Sequence, residues 1–310
     1  MTLVATDSPI LTPSQPAELN EEQSNLGAQS QKFVLTLSCV ERAGIVQAVT
    51  TFLFDRGFNI DEHQQFDDGI RQTLHLRTAF SGSPDYTAER LEEEFSSIAD
   101  RFEMKFEFHD QTKKRVLVMV SKFGHCLNDL IFRWRGGSLG GDLVVVASNH
   151  ETHRAMAEAA GLPFVYIPVT PDTKAEAEQK LLDLVDEYNV DLVVLARYMQ
   201  VLSDDLCRAL EGRAINIHHS FLPSFKGARP YHQAYNRGVK LVGATAHYVT
   251  ADLDEGPIIE QEVIRVDHSY GPATLSTIGQ DAEALALSRA VRWHCEHRVL
   301  LDRTSTVVFR

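Results

Sequence analysis

Three stretches of this chain are apolar on nearly every residue rather than on every second one: Arg115–Ser121, Asp142–Ser148 and Val190–Ala196. A strand with one wet face alternates apolar and polar side chains, whereas a strand covered on both faces carries a continuous apolar run. Helical patterns lie around Cys126–Trp134, Thr152–Ala160 and Lys174–Tyr188. Alternating β and α elements of this kind predict an α/β domain over 115–310, an open, mostly parallel doubly wound sheet.

The chain ahead of these runs has a different character. Phe33, Leu35 and Leu37 alternate as in a half-buried strand. Ile45, Val49, Phe52 and Leu53 form the stripe of a helix packed on one face. A second alternating stretch, Gln72–Phe80, precedes a second helical stripe through Leu91, Phe95, Ile98 and Phe102, and a short strand is expected near Met104–Phe108. The order βαββαβ predicts a ferredoxin-like domain over 32–110. Residues 1–31 carry few large apolar side chains and are expected to form a disordered arm. Asp110–Arg115 reads as a linker.

Net charge is −13, which disfavours a polyanionic partner, so no nucleic acid is expected. No apolar run approaches the roughly 20 residues that span a bilayer, so no membrane partner is expected. The four cysteines, Cys39, Cys126, Cys207 and Cys295, include no Cys-x-x-Cys pair and fit a reducing compartment. The first basic residue is Lys32, which does not suit a secretory or transit signal, so the expected location is cytoplasmic.

The chemistry concentrates between Ala214 and Gln261. Ile215 and Ile217 alternate with Asn216 and His218, so along a strand the amide and the imidazole share one face. Open α/β sheets place ligands at the C-terminal ends of such strands. Asp254 lies in the turn-forming segment Asp252-Leu-Asp-Glu-Gly-Pro257. Brought near His218, its carboxylate favours an imidazolium that stabilises an oxyanion, or it accepts a proton from attacking water. Any one of the three residues alone is more often a structural hydrogen-bonding group. Their joint pattern points to attack on a carbonyl.

Asn216-Ile-His218-x-Ser220-x-Leu222-Pro223, followed by Asp252-Leu-Asp254-x-Gly256-Pro257, resembles the signature of the folate-dependent formyltransferase family. The resemblance spans roughly residues 115–289. It implies a catalytic set of Asn216, His218 and Asp254, with Gly243, Thr245 and His247 at matching positions and Thr245 and His247 in support. It also implies a pterin pocket formed by Leu195, Met199, Gln200, Val201 and Leu202 on one side and Thr250, Ala251 and Asp252 on the other. Gln200 stands where transferases often carry arginine, which leaves Arg197, Lys226 and Arg229 as candidates to hold the glutamate tail.

The N-terminal order, with the turn Glu41-Arg42-Ala43-Gly44-Ile45, resembles the ACT domain, a small-molecule sensing module. An ACT domain followed by a formyltransferase-like domain is the arrangement of the deformylase branch. That branch implies a hydrolase with water as acceptor, making tetrahydrofolate and formate from 10-formyltetrahydrofolate and balancing the one-carbon pool for purine biosynthesis. It further implies no cofactor, a homo-oligomer, and glycine or methionine as effectors at Glu41–Ile45.

Three other readings compete. Glycinamide ribonucleotide formyltransferases bind a phosphate on a glycine-rich loop, but Ser121-Lys-Phe-Gly-His-Cys126 has one glycine and a bulky Phe123. A transfer RNA formyltransferase carries a basic C-terminal domain that is not seen here. A catalytically silent amino-acid sensor does not account for Asn216, His218 and Asp254. Metal binding is not expected. His218 and His219, as strand neighbours, point to opposite faces, and His294 and His297 have an unremarkable i, i+3 spacing.

Overall fold

A computed structural model describes residues 30–222 and 230–310, with two sheets and a C-terminal hairpin. The expected arm therefore lies almost wholly outside the described residues, as do Lys226 and Arg229.

The first sheet is antiparallel, in the order β2-β3-β1-β4. It comprises β1 (Gln31–Val40), β2 (Asn59–Asp68), β3 (Thr73–Gly82) and β4 (Lys105–His109). Helices α1 (Ile45–Phe54) and α2 (Ala88–Phe102) cover one face. Phe33, Leu35 and Leu37 turn inward beside Phe80 and Phe95, while Thr36 and Ser38 turn away, as the period of two requires. Thr87 caps α2 by accepting from the Arg90 amide. Gly44, at φ +95°, makes the left-handed turn from β1 into α1. Of the proposed effector residues, Glu41–Gly44 are exposed and Ile45 faces the core.

The other face of this sheet packs on the C-terminal end of the chain. Arg77 is buried there. It donates to Glu62 Oε2 (2.8 Å) and to the carbonyls of His297 (3.1 Å) and Glu296 (3.0 Å). Arg298 also binds Glu62, through both carboxylate oxygens at 3.0 Å. The chain then closes in the hairpin β12 (Val299–Asp302) and β13 (Ser305–Val308), which the sequence patterns did not predict.

The second sheet has the order β11-β10-β9-β8-β5-β6-β7. Strands β5 (Arg115–Val120), β6 (Asp142–Ser148), β7 (Phe164–Tyr166), β8 (Leu192–Ala196) and β9 (Ala214–His218) run parallel. β10 (Leu241–Tyr248) and β11 (Ile258–Arg265) add antiparallel. Helices α3 (His125–Arg135), α4 (Arg154–Ala159) and α8 (Pro272–Cys295) bury the core on one face. Helices α5 (Lys174–Glu187) and α6 (Asp204–Ala209) cover the other. Helix α7 (Pro230–Arg237) packs beside α8. The chain leaves β5 toward β6 and returns to its other flank with β8. The C-terminal ends of β5 and β8 therefore form the switch point where such sheets open a crevice. Among the described residues no helix is long and apolar enough to cross a membrane. All four cysteines are buried and free.

Candidate active site

Beside the switch point, at the C-terminal ends of β8 and β9, lies a pocket of about 260 Å³. Asn216 and His218 reach it from the end of β9, and Asp254 from the loop between β10 and β11. His218 Nδ1 stands 3.2 Å from Asp254 Oδ2, and His218 Nε2 is buried without a hydrogen-bond partner among the described residues. A buried ring nitrogen left free inside a polar pocket is a group waiting for a ligand atom.

The Asp254 backbone is left-handed, at φ +58°, a conformation that Asp tolerates better than most residues. The turn is pressed hard against β10, because a Cβ at Gly256 would come within 1.8 Å of the Tyr248 carbonyl oxygen. Burial pushes the Asp254 carboxyl up. The hydrogen bond and charge of His218, aided by His247 and His219, outweigh burial and hold it below its ordinary value.

His247 sets the orientation of Asn216. Its Nδ1–H donates to the Tyr248 carbonyl (2.8 Å), which leaves Nε2 to accept from Asn216 Nδ2 (3.2 Å). Burial keeps this imidazole neutral by lowering its pKa. The amide is thereby fixed with its NH2 group toward His247, and its second N–H remains for a substrate oxygen. A bulge between Ala246 and His247 re-aims the ring.

Thr245 supports the site from beneath. Its hydroxyl donates to the Ser220 carbonyl (3.0 Å) and accepts from the Leu222 amide and Gln261 Nε2, both at 3.1 Å. Thr245→Val strands these buried groups. It should cost about 1–3 kcal/mol, read as a fall in thermal midpoint, and should lower kcat as the turn after His218 loosens.

Leu195, Met199, Gln200, Val201, Leu202, Thr250 and Ala251 all line the pocket. Asp252 does not. Its carbonyl accepts from the Thr250 hydroxyl and the Glu255 amide, so it shapes the turn. His219 corrects an expectation. β9 ends at His218, the alternation stops with it, and both imidazoles line one pocket with ring centroids 5.0 Å apart. Burial, with Arg197 and His218 nearby, lowers the His219 pKa to about 4.

Arg197 is not a solvent-facing charge. It is 8% exposed, at φ +62°, with Nε 3.3 Å from Glu283 Oε2. Glu283, wholly buried on α8, also accepts from the Tyr231 hydroxyl (2.6 Å) and pairs with His125 Nε2 (2.7 Å). His125 therefore faces inward from the first turn of α3. The Arg197 guanidinium lies 5.2 Å from the Phe123 ring centroid. Ser121 Oγ donates to Asn149 Oδ1 (2.6 Å) and accepts from the Met199 amide (3.1 Å), tying that loop to the pocket wall.

His125, Cys126 and Glu283 are the one group of potential metal ligands among the described residues, with ligand atoms within 4.8 Å of one another. The fit is poor. The carboxylate is already taken by hydrogen bonds with Tyr231 and His125 and an ion pair with Arg197, and burial drives the Cys126 thiol well up, away from the thiolate a metal needs.

The Formyl transferase family model matches residues 114–291. A formyltetrahydrofolate deformylase from Corynebacterium sp. (strain P-1) is 54% identical over 286 residues, covering 91% of this chain and all of that protein. The crystal structure of a formyltetrahydrofolate deformylase from Burkholderia mallei is 51% identical, with a TM-score of 0.85 over 90% of this chain and all of its own. A glycinamide ribonucleotide transformylase from Symbiobacterium toebii is 29% identical, with a TM-score of 0.61, and covers only 66% of this chain. The two deformylases thus match about nine-tenths of this chain, and the transformylase about two-thirds of it. This chain belongs to the formyltetrahydrofolate deformylase family.

Proposed function

We propose that the protein hydrolyses 10-formyltetrahydrofolate to tetrahydrofolate and formate, through Asn216, His218 and Asp254. The observation that carries this reading is the free His218 Nε2, placed in one pocket beside an oriented amide and a carboxylate below its ordinary pKa. Asp254 takes a proton as water attacks the formyl carbon. The carbonyl π pair moves to oxygen, where Asn216 Nδ2–H and a protonated His218 Nε2 donate to it. The tetrahedral adduct collapses, the bond to N10 breaks, and N10 takes up the proton that Asp254 held. Formic acid then ionises to formate. The apolar walls around Leu195–Leu202 and Thr250–Ala251 take the pterin.

Several finer assignments accompany this reading. The reaction uses no metal and no cofactor, and proceeds in the cytoplasm, where the free buried thiols are stable. The formate feeds one-carbon demand such as purine synthesis. Copies of the chain associate as a homo-oligomer, and glycine or methionine acts at the turn Glu41–Ile45.

Incubation with 10-formyltetrahydrofolate alone should release formate and tetrahydrofolate in equal amounts, at a rate unchanged by EDTA. Added glycinamide ribonucleotide should yield no formylated product, because Phe123, Arg197 and the His125–Glu283 pair fill the acceptor side. Formylated ribonucleotide appearing as fast as formate would overturn the hydrolase reading. Loss of rate with EDTA, restored by zinc or iron, would overturn the metal-free chemistry.

A further inference from the structure

A second cavity, of about 640 Å³, lies between the four-stranded sheet and the catalytic domain. That volume is within the usual range for small-molecule sites, roughly 300–1,000 Å³. Its polar wall comes from both domains. Lys105 and His109 face it from β4, Lys114 from the linker, His294 from the last turn of α8 and His297 from the turn that follows it. The His109 and His297 rings stack across the boundary, 3.5 Å apart and 13° from parallel. Neither lysine ammonium has a carboxylate within ion-pairing distance among the described residues. The one acid on the lining, Glu107, is exposed and stands 3.6 Å from His109. Burial and the charge of Lys114 lower the pKa of all three histidines, which are neutral near pH 7. The lining thus carries two unpaired lysines against one exposed carboxylate, with Asp110 and Asp191 acting on His109 and His294 from outside it. The rest of its wall combines apolar side chains, among them Met104, Phe106 and Leu300, with the hydroxyl residues Thr36 and Ser38.

The floor of this cavity is Tyr248. Its hydroxyl is hydrogen-bonded to His294 Nδ1 (2.7 Å). Its carbonyl, on the same residue, accepts from His247 Nδ1 (2.8 Å), and His247 holds Asn216. One residue thus separates the second cavity from the hydrogen bonds that orient the catalytic amide.

We propose that this interdomain cavity binds a small molecule with a carboxylate and an apolar body, and that its occupancy lowers turnover through Tyr248. The site is distinct from the turn Glu41–Ile45. The carboxylate pairs with Lys114 and Lys105 and draws protons onto the neighbouring imidazoles. Protonation of His294 reverses its hydrogen bond with Tyr248, Nδ1–H now donating to the phenolic oxygen, so the hydroxyl proton must turn to another acceptor, and the tyrosine shifts with its carbonyl and carries His247 out of register with Asn216. The effect on turnover rests on the deformylase reading, whereas the binding does not.

The test uses the full chain with 4-methylpentanoate and its neutral isostere 4-methylpentanamide, followed by calorimetry and by formate release. The carboxylate should bind saturably, one per chain, and at least tenfold more tightly than the amide. It should lower kcat at least threefold. Lys114→Met should weaken its binding at least tenfold while kcat and KM without ligand stay within twofold, and Lys105→Met is the second variant should the first misfold. Tyr248→Phe should keep the binding and lose the response. Absence of saturable binding, equal binding of the amide, or full affinity in the lysine variants overturns the site. Binding with unchanged kcat overturns the coupling. Should the wild type release no formate even without ligand, the deformylase reading fails while the calorimetry still decides the site.

Discussion

Asp254→Asn should lower formate release by about 10²–10⁴-fold, the usual contribution of a general base. Two features make this a clean substitution. Asn accepts the left-handed backbone at this position as readily as Asp does. Its side-chain oxygen can still accept from His218 Nδ1, so the imidazole keeps its place. Binding of a folate analogue should therefore persist, with the loss falling on kcat. The pH profile of the wild type follows from the same residue. The Asp254 carboxyl sits below its ordinary value, so the base form is present above the usual carboxylate range. Activity should hold through mildly acidic pH and fall only as pH drops through that depressed value. An Asp254→Asn variant with near wild-type kcat, or an acid limb centred near neutrality, would show that another group is the base.

The second large effect concerns stability. Glu283→Leu should destabilise the catalytic domain by about 3–5 kcal/mol, because it leaves the buried Arg197 guanidinium without its carboxylate. The Tyr231 hydroxyl and His125 lose their partner at the same stroke. The informative comparison is the double variant. Arg197→Met removes the cation whose burial is costly, so Glu283→Leu with Arg197→Met should melt at a higher temperature than Glu283→Leu alone. If the two losses simply add, Arg197 and Glu283 are energetically independent, and the pairing has no part in closing the acceptor side.

Much of this architecture was legible in the sequence because it rests on local periodicity. Continuous apolar runs such as Val116–Val120 have one stable fate, a strand covered on both faces. The alternation of Ile215 and Ile217 with Asn216 and His218 placed the two polar residues on one face. What was not legible depends on where periodicity stops or on distance along the chain. His219 follows the alternation on paper, but the strand ends one residue earlier and its side chain swings into the same pocket as His218. Arg197 and Glu283 meet across 86 positions, and neither carries a local sign of the other. Asp252 and Asp254 look alike in sequence. Only the turn geometry sends one toward His218 and the other into backbone support.

The charged seam joining the two domains bears on how the chain is made. Synthesis runs from the N-terminus, so the four-stranded sheet leaves the ribosome long before Glu296–Arg310, the segment that later covers its open face. An apolar face left waiting that long would be sticky. This one presents Glu62, Gln64, His75 and Arg77, which water can solvate until the partner arrives. The polar seam lets the first domain fold early without becoming an aggregation nucleus. It also makes docking of the two domains wait until the segment Glu296–Arg310 has been translated.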